Sequence, residues 1–313
     1  MIYEYALDPK VVIQWLQNED HLNWLKGING IGIGTSHFIS TFPNQKKRKF
    51  IKGLVRLKDD INDQRALERL DHFCEYLDKG GMLERLGESV QATVNEWQER
   101  VIYEHSLNPF KAIVTDNKLE TTDWLTPENI FFSNLWNVPS QVSFNRTHDE
   151  FLNIISQFIV SSSKDLIIID AYCWKENAIN VIKSLLNLFE YKKYPSYPSV
   201  KIYYKENRQD SSPSPEYIKK QLLSSLNNIA QNLEITVFQI KETDQSDAFH
   251  NRYILNELGG IQLGHGLDLS GKEHHTDEAI LLSKDIYMKR WKQFYYPDRF
   301  EILDEVKFSG ITD

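Results

Sequence analysis

The sequence of 313 residues contains only two cysteines, Cys74 and Cys173, and no long apolar run. Two cysteines in separate segments do not form a disulfide framework, so cysteine usage predicts a cytoplasmic protein. The longest apolar run, near residues 166–169, is the size of a strand and too short to cross a bilayer. The first residues lack the basic and apolar parts of a secretory signal. We therefore expect no membrane partner.

Basic residues are outnumbered by acidic ones, with 36 Lys and Arg against 44 Asp and Glu, for a net charge of −8. This balance argues against a protein whose whole surface coats nucleic acid, but it leaves room for a local basic groove. One run of basic residues stands out, and it either contacts a nucleic-acid backbone or is a solvated helix face. The cluster assigned to nucleic-acid binding comprises Lys46, Lys47, Arg48, Lys49 and Lys52.

Residues 1–125 are predicted to form a mainly helical N-terminal domain. Apolar residues recur at helical spacing in three places: after Asp8-Pro9, within residues 63–77 and within residues 88–105. Residues 115–136 are rich in turn-forming residues, which favours a connection between domains.

Residues 140–313 are predicted to form an α/β domain, because helical and strand patterns alternate along them. The apolar run at residues 166–169 indicates a strand buried on both faces, as in a parallel sheet. Asp170 and Tyr172 follow this strand at its carboxyl end, where ligands bind in open α/β sheets. Ser214 and Pro215 are typical of a helix start, and a further strand is predicted at residues 235–240.

The segment from His250 to Asp268 has the pattern of two short strands joined by a glycine turn. His250 and Arg252 are two residues apart, so on a strand their side chains share one face. An imidazole beside a fixed cation is suited to attack on phosphorus, with the cation holding the phosphoryl oxygens. Glu257 closes the first predicted strand and Gly264 ends the second.

This pattern resembles the phospholipase D superfamily, whose signature is His-x-Lys, four residues, Asp, six residues, and then Gly-Ser-x-Asn. His250 takes the His position, Arg252 the Lys position, Glu257 the Asp position and Gly264 the Gly position, all at the spacing of the family. The variant is similar to a divergent branch found in bacterial antiviral-defence proteins and in a membrane-binding module of eukaryotic trafficking proteins.

Several positions depart from the signature. His265 stands where Ser is expected, Leu267 stands where Asn is expected, and Asp268 lies one residue late. Glu278, before an apolar run, looks like the acidic residue that follows the glycine loop in the family. Arg252 in place of Lys supplies a planar fork that fits phosphate oxygens.

The resemblance implies a phospholipase D-like mixed sheet with helices on both faces. It also implies a metal-independent phosphodiesterase, a nuclease acting through a phosphohistidine in phage defence, with no cofactor. Family members with one motif pair two subunits, so a homodimer acting on DNA or RNA is expected. His265, His274 and His275 offer an alternative second imidazole within the chain, and His274-His275 lacks a third metal ligand nearby.

An alternative hypothesis is an inactive module that binds nucleic-acid phosphates or partner subunits of a defence complex. Under the enzyme hypothesis, His250, Arg252 and Glu257 are the catalytic residues, and Glu257 orients His250 or Arg252. The residues expected to contact substrate are Gly264, His265, Asp268, Glu278, Asp170 and Tyr172.

Overall fold

The computed structural model divides the chain into two compact units, residues 2–139 and residues 140–313 together with Met1. The residues that the structure describes are 1–17, 30–85, 97–191, 196–207, 209, 211–224, 226, 233–243, 249–272, 274–297 and 300–309. Part of the helix predicted at residues 88–105, namely residues 88–96, lies outside the described residues.

The N-terminal unit is built on a parallel sheet with strand order β3-β2-β1-β4-β5. Helices pack with this sheet around a core that includes Tyr5, Val12, Phe50, Leu70 and Val114. The strands are β1 (Tyr3–Leu7), β2 (His37–Ser40), β3 (Met82–Leu83), β4 (Ala112–Val114) and β5 (Trp124–Leu125), and the helices are α1 (Pro9–Gln17), α2 (Lys47–Arg56), α3 (Gln64–Tyr76) and α4 (Trp97–Leu107).

The helices of this unit hold more residues than its strands, but the sheet that organises them is absent from the sequence prediction. Strands of two to five residues are too short to show a clear period in the sequence. Residues 115–136, which the sequence favours as a connection, contain β5 and belong to this unit. The predicted helix at residues 63–77 is confirmed as α3, and the Asp63 side chain caps it by accepting the N–H groups of Arg65 and Ala66.

The C-terminal unit is a mixed sheet of eight strands, in the order β13-β9-β8-β7-β10-β11-β12-β6. Strands β7, β8 and β9 are parallel, and the other pairings are antiparallel. The strands are β6 (Gln141–Asn145), β7 (Asp165–Ile169), β8 (Ser199–Lys205), β9 (Glu234–Lys241), β10 (Arg252–Asn256), β11 (Gly259–Leu263), β12 (Thr276–Leu281) and β13 (Glu301–Ser309), and the helices are α5 (His148–Val160), α6 (Glu176–Asn187), α7 (Pro215–Leu223) and α8 (Lys284–Tyr295).

Helices cover both faces of this sheet. Neighbouring residues of a strand point to opposite faces, and two neighbours on β8 contact different helical regions. Tyr203 of β8 packs against Phe294 of α8, with ring centroids 6.0 Å apart. Tyr204, the next residue, points to the other face, where its hydroxyl donates to the carbonyl oxygen of Pro213 just before α7 (2.6 Å). The predicted mixed sheet with helices on both faces is therefore confirmed.

The predicted hairpin is also present, with Arg252 paired to Leu263 at its open end and Asn256 paired to Gly259 at its turn. Strand β10 lies next to β7 in the middle of the sheet. One detail differs from the prediction: β10 begins at Arg252, and His250 lies in the turn that precedes it.

Candidate functional site

A pocket of about 200 Å³ opens in the C-terminal unit at the carboxyl ends of β7 and β8, beside the start of β10. Three segments of chain meet there, in the place where open α/β sheets bind ligands. The pocket is lined by Ala171, Tyr172, Lys205, Glu206, Asn207, Phe249, His250 and Arg252.

His250 and Arg252, predicted from one motif, lie in this same pocket. His250 is exposed, whereas the side chain of Arg252 is 26% exposed. Nη1 of Arg252 donates to the carbonyl oxygen of Gly264 at 2.9 Å, and Nε lies 4.0 Å from Oδ1 of Asp170. The guanidinium is therefore held from two sides and still reaches the pocket.

Asp170 is a buried carboxylate, 2% exposed, that contacts two residues of the pocket lining, Tyr172 and Arg252. Its Oδ1 accepts the N–H of Tyr172 at 2.9 Å, and its Oδ2 accepts the N–H of Leu267 at 2.8 Å. Burial raises the pKa of Asp170, while these two hydrogen bonds and the charge of Arg252 act in the opposite direction. Asp170 thus joins the chain after β7 to the glycine loop after β11. Of the two residues predicted after β7, Tyr172 lines the pocket and Asp170 does not.

Two glycines let the loop after β11 pass close to these charged groups. A Cβ atom on Gly266, whose φ is +75°, would lie 2.2 Å from Oδ2 of Asp170 and 2.5 Å from Cδ of Arg252. A Cβ atom on Gly264 would lie 2.4 Å from Oδ1 of Asp277. Side chains at either position would push the loop away from the site.

His265, between these glycines, is paired with Asp277 of β12. The backbone N–H of His265 donates to Oδ2 of Asp277 at 2.9 Å, and ring atom Nδ1 lies 3.3 Å from Oδ1. The Asp277 side chain is 2% exposed, whereas that of His265 is 60% exposed. The sequence analysis did not place Asp277 among the catalytic or substrate-contacting residues, although it is the residue before Glu278.

The prediction for Glu278 needs correction. Glu278 and Asp277 are neighbours on a strand, so their side chains point to opposite faces. Oε2 of Glu278 accepts a hydrogen bond from Nε2 of Gln141 at 2.6 Å, across the pair of strands β12 and β6. The carboxylate at the glycine loop therefore belongs to Asp277.

Glu257 also lies away from the pocket, at the opposite end of β10 from His250. Its Oε1 accepts hydrogen bonds from the N–H and the hydroxyl of Ser163, both at 2.6 Å. The structure thus does not bring Glu257 to His250 or Arg252, and the expectation that it orients them is corrected. Its contacts instead attach the β10–β11 turn to the chain before β7.

Asp268 lies at the edge of the glycine loop. Its Oδ1 accepts from Nδ2 of Asn177 at 3.3 Å, and its carbonyl oxygen accepts from the Arg146 side chain. The negative charge of Asp268 raises the pKa of Asp170, although less than burial does. These contacts attach the loop to the start of α6.

Lys205, Glu206 and Asn207 are pocket residues that the sequence analysis missed. Lys205 ends β8, the strand beside β7, and Glu206 and Asn207 follow it. Their position at the carboxyl end of a second parallel strand is the signal that would have found them. Nζ of Lys205 lies 2.8 Å from Oε2 of Glu242. Partial burial acts to raise the pKa of Glu242, but hydrogen bonds from Lys205 and from the N–H of Phe249 lower it.

The predicted basic cluster lies in the other unit, at the start of α2. Nζ of Lys47 lies 3.6 Å from Oδ1 of Asp78, and its N–H donates to Oε1 of Glu84 at 3.1 Å. Lys46, Arg48, Lys49 and Lys52 are exposed, and within the described part of the chain no acidic side chain forms an ion pair with them.

Among the residues that the structure describes, no three His, Cys, Asp or Glu side chains are arranged to hold a metal ion. His274 and His275 are both exposed, and they are among the described residues to which this statement applies. Within the same described ranges, no helix has the length and apolar character needed to cross a bilayer.

No protein-family model and no curated protein matches the chain. Among solved structures, it is similar to Nuc, a phospholipase D family member from Salmonella typhimurium, with 9% identity, 53% of this chain and 99% of that chain covered, and a TM-score of 0.34. It is also similar to polyphosphate kinase from Porphyromonas gingivalis, with 11% identity, 51% of this chain and 27% of that chain covered, and a TM-score of 0.31.

A third similar structure is TrmBL2, an archaeal chromatin protein described with a novel mode of DNA binding. Its identity is 10%, the covered shares are 95% of this chain and 100% of that chain, and the TM-score is 0.29. At these identities and TM-scores we draw no inference about activity from the three likenesses.

Proposed function

We propose that the C-terminal unit is a phospholipase D-like phosphodiesterase that cleaves a nucleic-acid backbone without a metal ion. The observation that supports this most directly is that His250 and Arg252 line one pocket together with Lys205. A nucleophilic imidazole, a fixed guanidinium and an ammonium group suit a negatively charged ester.

In this reaction one ring nitrogen of His250 attacks phosphorus, and the bond from phosphorus to the leaving oxygen breaks. Arg252 holds the phosphoryl oxygens, because its planar fork and positive charge match them. The guanidinium is already oriented by Gly264 and Asp170, so little reorganisation is needed as charge develops. Water then cleaves the phosphohistidine and regenerates His250.

Digestion of single- and double-stranded DNA and RNA in the presence of EDTA tests this proposal. We expect the wild type to cut at least one of them and His250→Ala to fall to background. The matched control is His148→Ala, which removes an imidazole that contacts Ser184 on α6, outside the residues that line the pocket. Undiminished cutting by His250→Ala overturns the proposal, and loss of cutting in EDTA assigns the reaction to a metal instead.

A second candidate function is phosphate binding without turnover, and one observation favours it. Arg252 stands where the family has Lys, and two of its nitrogens already lie against Gly264 and Asp170. In that case labelled oligonucleotide binds the wild type, Arg252→Ala weakens binding, and no phosphohistidine is trapped by alkaline quench.

The wider setting is also a proposal. The chain carries a single His-x-Arg motif of this kind, which supports a homodimer, and the resemblance supports a nuclease of bacterial phage defence with partner subunits in the cytoplasm. Light scattering measures the oligomer, and phage plating on bacteria that express wild type or His250→Ala measures protection. Equal plating on both strains argues against a defence role for this site.

A further inference from the structure

We propose that His265, positioned by Asp277, is the general acid and base of the reaction assigned above to His250. This inference rests on the proposed phosphodiesterase function and names the group that completes it. It places both imidazoles within a single copy of the chain, as the alternative to a site that two subunits of a homodimer complete.

The contact with Asp277 indicates which nitrogen of His265 is available for proton transfer. Nδ1 lies 3.3 Å from Oδ1 of a carboxylate that is 2% exposed, and a carboxylate accepts hydrogen bonds. Nδ1 therefore carries a hydrogen, and Nε2 is the ring nitrogen left to exchange a proton with substrate and water.

The loop places His265 beside the residues of the pocket. Both neighbours of His265 contact Arg252: the carbonyl oxygen of Gly264 accepts from Nη1 at 2.9 Å, and Gly266 packs so tightly that a Cβ would lie 2.5 Å from Cδ. The pair at the open end of the β10–β11 ladder is Arg252 with Leu263. His250 lies two residues before Arg252, and His265 lies two residues after Leu263. Both imidazoles therefore leave the same end of one hairpin.

The position of Asp277 is built into the fold. Its carboxylate accepts three backbone or ring contacts, from the N–H of His265, the N–H of Glu278 at 2.8 Å and Nδ1 of His265. Gly264 makes room for it, since a Cβ there would lie 2.4 Å from Oδ1. Asp277 is a positioning residue, because it acts through His265.

Two proton transfers through His265 accompany the two displacements at phosphorus. His250 forms a bond to phosphorus, the bond to the leaving oxygen breaks, and that oxygen takes the proton from Nε2 of the His265 imidazolium. Neutral His265 then removes a proton from water, whose oxygen attacks phosphorus while the bond from phosphorus to nitrogen breaks. The electron pair returns to His250, and the products are an alcohol and a phosphate monoester.

Two substrates with the same phosphoryl group and different leaving groups test this role. A dinucleotide releases an alkoxide that needs a proton, whereas thymidine 5′-p-nitrophenyl phosphate releases a stable phenolate. The second step is common to both substrates, so the release of the leaving group is measured in a single turnover. We expect His265→Ala to slow this release by about 10²–10⁴-fold on the dinucleotide, and far less on the nitrophenyl ester. Asp277→Asn should show the same pattern more weakly, with partial recovery in Asp277→Glu, and His148→Ala should match the wild type.

The outcomes separate the two proposals. If His265→Ala slows the release of the leaving group equally on both substrates, or on neither, the role of His265 is overturned, while a loss of both activities in His250→Ala still supports the enzyme. Absence of wild-type activity on both substrates removes the proposed function and this inference together. A crystal structure with vanadate gives a second readout, with the two imidazoles expected on opposite sides of vanadium; a His265 ring turned away from it contradicts the proposal.

Discussion

Nε of Arg252 lies 4.0 Å from Oδ1 of Asp170, where β10 begins and β7 ends. The ladder between these strands pairs Tyr253 with Ile169, so the next position outward sets Arg252 beside Asp170. Arg252 is held on its other side by the carbonyl oxygen of Gly264. One cation thus joins three segments of the sheet edge, and its orientation depends on all of them.

The close approach of the glycine loop gives a first prediction. Gly266→Ala places a Cβ in contact with Asp170 and Arg252 and also occupies a φ of +75°, so we expect loss of phosphodiesterase activity. The matched control is Gly271→Ala, which has a similar φ of +65° but nothing within 4 Å of the new Cβ. Both variants should lose about 1–2 kcal/mol from backbone strain. If their activities are equal, contact with Arg252 is not what matters.

Replacement of Arg252 by Lys restores the residue of the family signature. Lys keeps the charge but cannot bond Gly264 and a phosphate oxygen at once with a planar fork. Because a hydrogen bond to a charged group contributes about 1.5–3 kcal/mol, we expect KM to rise by roughly one to two orders of magnitude. Steady-state kinetics measures this, and an unchanged KM would show that the fork is not used.

Glu242 gives a prediction about pH. Its pKa is lowered in the folded chain, so its stabilising contribution is present above the ordinary carboxyl range and is lost as pH falls through the lowered pKa. The pair with Lys205 is partly exposed, so we expect Glu242→Gln to cost about 0.2–1 kcal/mol at neutral pH. Urea unfolding should show the two proteins converging in acid. A gap that persists there would contradict the ion-pair explanation.

A buried charge network in the N-terminal unit predicts a larger effect. Arg85 donates to Glu4 at 2.7 Å and to Glu104 at 2.8 Å, and each of the three side chains is no more than 3% exposed. Arg85→Met removes the cation between two buried carboxylates, at a cost of about 3–5 kcal/mol. Changing all three residues to Met should recover most of this loss in chemical unfolding. Failure to recover would mean that Arg85 acts mainly through packing.

The basic cluster gives a prediction about salt. If Arg48, Lys49 and Lys52 neutralise phosphates of a duplex backbone, changing them to Gln should reduce the slope of log affinity against log salt by about 0.9 for each phosphate that is no longer neutralised. Lys79→Gln is the matched control, because Lys79 is already paired with Glu75 at 2.6 Å. Fluorescence anisotropy with labelled DNA at several salt concentrations measures both slopes. Equal slopes in all variants would make the cluster a solvated helix face.

The sequence predicted those parts of the fold whose patterns are long or chemically distinctive. The apolar run that becomes β7 is buried on both faces, with residues 166–169 at most 1% exposed, and the hairpin after His250 follows from its glycine turn. The N-terminal sheet escaped prediction because strands as short as β3 and β5 show no period. The spacing of apolar residues in this unit predicts helices, but it gives no sign of the sheet against which they pack.

The sequence by itself determined that His250 and Arg252 belong to one short motif, since their spacing is local. Only the tertiary structure decided the rest of the site. It placed Lys205 in the pocket, brought Asp277 instead of Glu278 to His265, and put Glu257 at the far end of β10. Such outcomes depend on which strands are neighbours and on which face each side chain points, and a shift of one residue reverses the face.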